Sequence, residues 1–294
     1  MDFYFYEIYG LIIKSNIKML LLDEDLTSDI DAYDYSLEVI YSSTGIANTF
    51  NSKMDGNNLY VNMNEFASLK INILEKSIVC FARDYESFFS TFFNIPFSAL
   101  FLLKGEFLLH TSSILHNDNI ICISAEKGTG KSTLVAMLEK MDDINFFADD
   151  TLRLDHQLYG YPPHQLMKLH SDVTEHVSSE KLTGYHNVLQ KNYIKYSHMP
   201  KGKRPVKALI FYSRNKNINA HRIVKIENNI VINLKFIKNI VGTVSLSPLF
   251  ANQIINTTKD VYSKLNCYKL EMPDSLDYLL SNLGNLKSDI LEIV

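Results

Sequence analysis

Apolar positions along the chain change their spacing as it proceeds. Residues 3 to 13 (FYFYEIYGLII) are aromatic and β-branched, and similar runs follow at Leu37 to Ser42, Leu59 to Met63 and Leu69 to Phe81. Clusters of Asn, Asp, Ser and Gly, such as Asp55 to Asn58, separate these runs as turns separate strands. The first 84 residues therefore read as a β-rich unit. After Asp84 an apolar, aromatic helix candidate spans Phe88 to Leu103, and from Phe107 onward strands alternate with helical patterns. That alternation is the signature of an α/β sheet. The change of character between residues 82 and 86 predicts a β-rich domain over 1–84 and an α/β domain over 85–294.

Within the second part, Leu134, Met137, Leu138 and Met141 follow the i, i+3, i+4, i+7 spacing of an amphipathic helix. Leu276, Leu279, Leu280 and Leu283 repeat it, with Pro273, Asp274 and Ser275 as a start signal. Val173 to Ser197 is polar and mixed, and Lys201 to Pro205 reads as an exposed loop before a strand over Val206 to Tyr212. No internal repeat, heptad array or low-complexity tract is present.

Composition narrows the class. In 294 residues, 46% are hydrophobic and 21% charged, the balance of an ordinary globular protein with a sizeable core. A net charge of -4 argues against nucleic acid as a partner, which calls for a broad basic surface. Cys80, Cys122 and Cys267 are odd in number, far apart and set in apolar runs, so they read as buried free thiols. With no secretory pattern at the start, a reducing, cytoplasmic setting is expected. Phe88 to Leu103 contains Asn94 and Pro96 and falls short of the ~20 apolar residues that span a bilayer, so it reads as a buried helix and no membrane contact is expected. Histidines crowd the region from His156 to His198, but His164, His170 and His176 lack the i, i+4 spacing and cysteine company of a zinc site. Neither a G-x-S-x-G elbow nor a G-x-G-x-x-G fingerprint occurs, which removes the central feature of hydrolase and dehydrogenase readings.

The densest chemical signal is Ile120 to Thr133 (IICISAEKGTGKST), which reads strand, glycine-rich turn, helix. Ala125, Glu126, Lys127, Gly128, Thr129, Gly130, Lys131, Ser132 and Thr133 match a phosphate loop. Gly128 and Gly130 can take left-handed backbone angles that turn successive N–H groups toward a phosphate, and the following helix directs its positive end at the same anion. Lys131 would reach the β- and γ-phosphates, and the Ser132 hydroxyl would ligand Mg²⁺. Ala125 occupies the position where the pattern has Gly, which is tolerable if its backbone is not left-handed. The plain alternative is a chance match in a turn.

Beyond that helix, the short apolar strand Ile144 to Ala148 ends in Asp149 and Asp150. Phosphoryl transfer uses one acid at Mg²⁺ and another to accept the proton of an attacking hydroxyl. Adjacent residues of a continuing strand face opposite ways, so only one acid would reach a γ-phosphate; a solvated, helix-capping turn is the other reading. Upstream, the strand Phe107 to Leu109 ends at His110, which a parallel neighbouring strand would bring to the same rim. Taken alone, such a residue is more often a hydrogen-bonded core histidine; beside two acids and a phosphate loop, His110 reads equally as functional. Lys201, Lys203, Arg204 and Lys207 form a dense basic run, either a solvated loop or a source of cations for phosphate or an acidic acceptor.

Together, His110, Ala125 to Thr133 and Ala148-Asp149-Asp150 resemble the catalytic core of the HPr kinase/phosphorylase superfamily, with its His-bearing strand, P-loop and Ala-Asp-Asp strand end. The chain is similar, in particular, to the HPr-kinase-like tailoring kinases found with lasso-peptide and related gene clusters. Ile8 to Ile13 (IYGLII), the apolar helix before Leu108 to Ser113 (LLHTSS), and Tyr161 to Leu169 (YPPHQLMKL) carry that likeness. Lys168 and His170 stand where the family usually has Arg and Trp. The resemblance implies a P-loop HPr-kinase-like α/β fold and an ATP- and Mg²⁺-dependent kinase acting on a Ser hydroxyl of a peptide or protein. It further implies Asp149 as base, Asp150 as its partner in Mg²⁺ or substrate positioning beside Ser132, and His110 nearby. A kinase of a small hydroxyl metabolite such as free serine and a non-catalytic nucleotide-binding protein stand as rivals, and a homo-oligomer is left open.

Overall fold

The computed structural model describes all residues except 1, 2, 21, 23–31, 43, 45, 47, 48, 64, 65, 165, 175–181, 187–190, 197–199, 201 and 294. The fold is mixed α/β with several sheets. Contacts divide the chain into two units, Met1–Leu108 with Ile240–Ile255, and Leu109–Asn239 with Asn256–Val294.

The first unit is built on a seven-stranded sheet of β1 (Tyr4–Ile8), β2 (Leu11–Ser15), β3 (Tyr35–Tyr41), β4 (Phe50–Asp55), β5 (Asn58–Met63), β6 (Ala67–Asn72) and β7 (Ser77–Ala82), in the order β1-β2-β3-β7-β6-β5-β4. The aromatic run over residues 3 to 13 is a hairpin, because Tyr9 and Gly10 both take left-handed angles (φ 54° and 70°). Leu69 to Phe81 likewise divides into β6 and β7 at a turn that ends on left-handed Lys76. Two helices follow, α1 (Tyr85–Phe92) and α2 (Ile95–Leu103). Asp84 caps α1 by accepting from the Ser87 N–H at 2.7 Å, and Pro96 in the first turn of α2 fixes the break after Phe93. The candidate Phe88 to Leu103 helix is therefore two helices. Tyr85–Leu103 is long and apolar enough to cross a membrane by composition alone, yet 78% of it is buried inside the protein. Phe88, Phe92, Phe97 and Phe101 are fully buried there, each ring contributing roughly 1.5–3 kcal/mol. The Tyr9 hydroxyl donates to the Phe93 carbonyl at 2.6 Å, fastening the first hairpin to the helix break.

The division between units falls inside β8 (Phe107–Leu109), so contacts group residues 85–108 with the strands before them, whereas composition changes at residues 84 and 85. The second unit continues with β9 (Ser112–His116), β10 (Asn119–Ser124), α3 (Lys131–Leu138), β11 (Asn145–Ala148), β12 (Leu152–Leu154) and β13 (Tyr159–Tyr161). A small sheet of β14 (Leu166–His170), β15 (Leu182–His186) and β16 (Lys191–Lys195) comes next, with the single turn α4 (Ser171–Thr174) after β14. The long β17 (Arg204–Asn215), β18 (Arg222–Lys225), α5 (Asn229–Lys238), α6 (Thr243–Tyr262, divided between the units), β19 (Asn266–Pro273) and α7 (Leu276–Glu292) complete it.

Three parallel strands position the chemistry. β17 runs beside β10 on one side and β19 on the other, with Ser124 opposite Phe211 and Asn215 opposite Pro273. Their carboxyl ends share one rim. β10 is buried almost throughout, as expected of a central parallel strand. Below the rim, Ile121, Ile123, Leu134, Met137 and Leu138 pack with Leu279, Leu286 and Ile290 of α7. Ser275 caps α7 by accepting from the Tyr278 N–H at 3.1 Å. Cys80, Cys122 and Cys267 are buried free thiols, and burial pushes each up to about 12.

Candidate functional site

Residues 125–130 connect the end of β10 to the start of α3. The left-handed positions in this loop are Gly128 (φ 84°) and Gly130 (φ 97°), so Ala125 meets no conformational penalty. Gly130 is the N-cap of α3 and, having no side chain, makes no side-chain bond to the helix's first N–H groups. Lys131, only 8% exposed, extends its ammonium to His110 Nε2 at 3.0 Å and lies 3.5 Å from the Ala125 carbonyl oxygen.

Asp149 is almost fully buried and accepts three hydrogen bonds. Its Oδ1 accepts from the Ser112 hydroxyl (2.5 Å) and the Ser132 hydroxyl (2.7 Å), and its Oδ2 accepts from the Lys168 N–H (3.0 Å). Asp150, by contrast, has a third of its side chain exposed (34%). Its Oδ2 lies 3.3 Å from Lys168 Nζ, and its Oδ1 lies 3.4 Å from His110 Nδ1. A left-handed backbone at Asp150 (φ 70°) ends the strand's alternation, so the two acids do not simply face opposite ways. The sequence reading put Ser132 with Asp150; in the structure the Ser132 hydroxyl meets Asp149 instead.

Hydrogen-bond logic fixes the histidine. His110 Nδ1 lies 2.9 Å from the Asp150 carbonyl oxygen, which can only accept, while Lys131 can only donate to Nε2. His110 is therefore neutral with its proton on Nδ1, in keeping with burial and the Lys131 charge, which both lower its pKa. Burial pushes Asp150 up, but Lys168, His110 and Lys131 outweigh it and hold the carboxyl far below the usual carboxylate range. Lys168, lowered by burial, is raised overall by Asp150. Burial lowers Lys131 despite both acids.

His110 reaches the rim by a different route from the one expected. It precedes β9, which runs antiparallel to β10 with Ser112 opposite Ile123, so the start of β9 lies beside the end of β10. The Thr111 hydroxyl donates to the Ile123 carbonyl (2.9 Å) and the Ser124 hydroxyl to the His110 carbonyl (3.0 Å), locking the two segments together. Asn239, just after α5, accepts from His110 N–H through its carbonyl (2.7 Å), and its amide oxygen shares the Ser124 hydroxyl proton with the His110 carbonyl.

A cleft of about 630 Å³ borders residues 124–129 with His110, Arg214, Lys235 and Lys238, and a smaller one of about 250 Å³ borders residues 130–133 with Lys168, His170 and Lys191. Arg214 lines both. The basic run is elsewhere. Arg204 opens β17 and pairs with Asp118 at 3.0 Å, and Lys203 lies over the Tyr159 ring; Lys201 lies outside the described residues. From Arg204 to the rim is roughly 30 Å at ~3.3 Å per strand residue, so Arg204 does not serve the loop. Arg204 and Pro205 belong to the strand, where the sequence suggested a loop. Of the polar segment Val173 to Ser197, residues 175–181, 187–190 and 197 lie outside the described residues, as do His176 and His198.

Sequence reasoning marked His110, Lys131, Ser132, Asp149 and Asp150, and the structure brings them together. It passed over Ser112, Arg214 and Asn239, and noted Lys168 only for its departure from a pattern. Arg214 carried one usable signal, a cation at the carboxyl end of a strand, where α/β sheets place ligands.

No family model matches the chain, and no curated protein does. Among solved structures it is similar to the HPr(Ser) kinase/phosphatase from Coxiella burnetii, with 14% identity over 62% of this chain and 98% of that one and a TM-score of 0.27. Folds that superpose so loosely support no functional argument.

Proposed function

We propose that the chain is a kinase of HPr-kinase-like fold that uses ATP and Mg²⁺ to phosphorylate a Ser hydroxyl of a peptide or protein acceptor. One observation carries the reading: Lys131 and Ser132, adjacent at the start of a helix behind a two-glycine turn, bond directly to His110 and Asp149. A chance turn would not gather an ammonium, a hydroxyl, two carboxylates and a second lysine at one rim. The acceptor and the cytoplasmic setting rest on the sequence, namely the resemblance to peptide-tailoring kinases and the free cysteines.

Residue roles follow from reach. The Ser132 hydroxyl and Asp149 carboxylate, 2.7 Å apart, are hard oxygens of the kind Mg²⁺ takes alongside phosphate oxygens, so they suit the metal side. Bound there, the metal would neutralise charge on the phosphates. Lys131 would add a point charge to the same oxygens, and the Gly128 to Ser132 backbone would cradle them. Asp150 is the accessible acid; it would accept a hydrogen bond from the acceptor hydroxyl and take its proton as the phosphoryl group departs. Lys168 anchors both acids, one through its N–H and the other through its ammonium.

The test supplies Mg·ATP with Ser-containing peptides and free serine together, and follows phosphoryl gain on each by intact mass. Transfer to peptide is expected. Transfer to serine alone would make the protein a small-metabolite kinase, and ATP binding without any transfer would favour a nucleotide-binding partner protein.

A further inference from the structure

We propose that Arg214 is a catalytic residue, supplied from within the chain, whose guanidinium contacts the phosphoryl group during transfer, and that Gly130 is a glycine to let it approach. The inference rests on the kinase reading above and adds a residue to it.

Arg214 lies near the end of β17, one parallel strand from the loop. Its Nη2 is 2.5 Å from the point where a Cβ on Gly130 would stand, and its Cζ is 3.3 Å from it. Any side chain at residue 130 would displace the guanidinium, besides being strained at φ 97°. Two bonds aim the group: Nε donates to the Tyr212 hydroxyl (3.1 Å) and Nη1 to Asp274 Oδ1 (3.3 Å). These use two of five N–H donors and leave Nη2 as the atom nearest the loop. Arg214 also borders both clefts, so it lies over the loop where one cleft gives way to the other.

A phosphoryl group in flight spreads charge over its equatorial oxygens, which a planar guanidinium fork matches better than an ammonium does. Lys131 stands at the start of the helix with a point charge; Arg214 approaches from the neighbouring strand with a fork. The competing role is structural, since Asp274 directly precedes the N-cap of α7 and the ion pair could merely tie that helix to β17. A readout that senses the transferring group separates the two roles.

Calorimetry with Mg·ADP, with and without aluminium fluoride, provides it, because ADP and the planar fluoride together imitate the group in transfer. Wild type is expected to bind ADP more tightly with fluoride present. Arg214→Ala should lose on the order of 10²-fold of that gain while its ATP affinity stays within about threefold. Arg214→Lys should restore only part of it, because it keeps the charge and lacks the fork. Tyr212→Phe and Asp274→Asn, which act through Arg214, should fall between. Arg214→Gln, matched in shape and checked by thermal melting, guards against misfolding and should behave as Arg214→Ala does. Full fluoride gain in Arg214→Gln or Arg214→Ala overturns the proposal while leaving nucleotide binding intact. Absence of ATP and ADP binding in wild type overturns the kinase reading itself, and this inference with it.

Discussion

β17 carries an arginine near each end, and the two could hardly differ more in their company. Arg204 belongs to the densest basic run in the chain, yet it meets Asp118 and lies near Lys203 and its tyrosines, far from the loop over residues 125–130. Arg214 has few cations beside it in sequence, yet it lies against Gly130 with two anchors and two clefts around it. Strand direction makes the difference: ligand chemistry gathers at the carboxyl ends of parallel strands, and charge density along the chain says nothing about which end a residue occupies.

The contrast between the ends is open to attack, most forcefully at the acids. Asp150→Asn should lower phosphoryl transfer by roughly 10²- to 10⁴-fold with nucleotide affinity little changed, as loss of a proton acceptor would. Asp149→Asn should instead weaken Mg²⁺-dependent binding. Steady-state kinetics beside calorimetry would reveal the opposite pattern, normal turnover in Asp150→Asn, and so reverse the two roles. Next in size, Lys131→Ala should weaken Mg·ATP binding about 10- to 100-fold, the range of a lost charge-assisted bond. Equal ATP affinity in that variant would remove the rim's claim to the nucleotide.

His164 gives a smaller effect, on stability. Burial and the Lys168 charge push it down to about 3, whereas the unfolded chain protonates it near 6.5. The folded pKa is the lower one, so stability is full above about 6.5 and declines as pH falls toward 3. Denaturant titrations should show a loss of about 2 kcal/mol between pH 7 and pH 5 from this residue, and His164→Gln should flatten it. Smallest of all is Arg204→Ala: turnover should stay within about twofold, and stability should change by about 1 kcal/mol or less, as for exposed ion pairs. A large loss of activity there would erase the contrast between the two ends.

How far the sequence could be read depended on range. The strand, glycine turn and helix over residues 120–138 are written in neighbouring residues, so pattern alone placed them. The Asp84 boundary of α1 and the Ser275 cap of α7 were legible for the same reason. Continuous apolar runs hid the hairpin at Tyr9 and Gly10 and the turn before β7, because a tyrosine or a lysine gives no warning of a left-handed angle. His110 was placed at the right rim by the wrong geometry, since a sequence does not state whether the next strand runs parallel or antiparallel. Lys168 and Arg214 come to the site from strands distant in sequence, Arg214 through the register of β17 beside β10 and Lys168 from the separate small sheet.

The left-handed backbone of Asp150 narrows what evolution can do at that position. Its φ of 70° turns the main-chain carbonyl to His110 while the carboxylate meets Lys168, so one residue satisfies a conformational and an electrostatic demand at once. Among L-residues, Asp and Asn tolerate this conformation best, and most others would add a penalty of about 1–2 kcal/mol. Drift from Asp therefore has two cheap exits, Asn and Gly, and each discards the charge while preserving the fold. A chain that lost its chemistry would be expected to carry one of those two residues here, and this chain carries Asp.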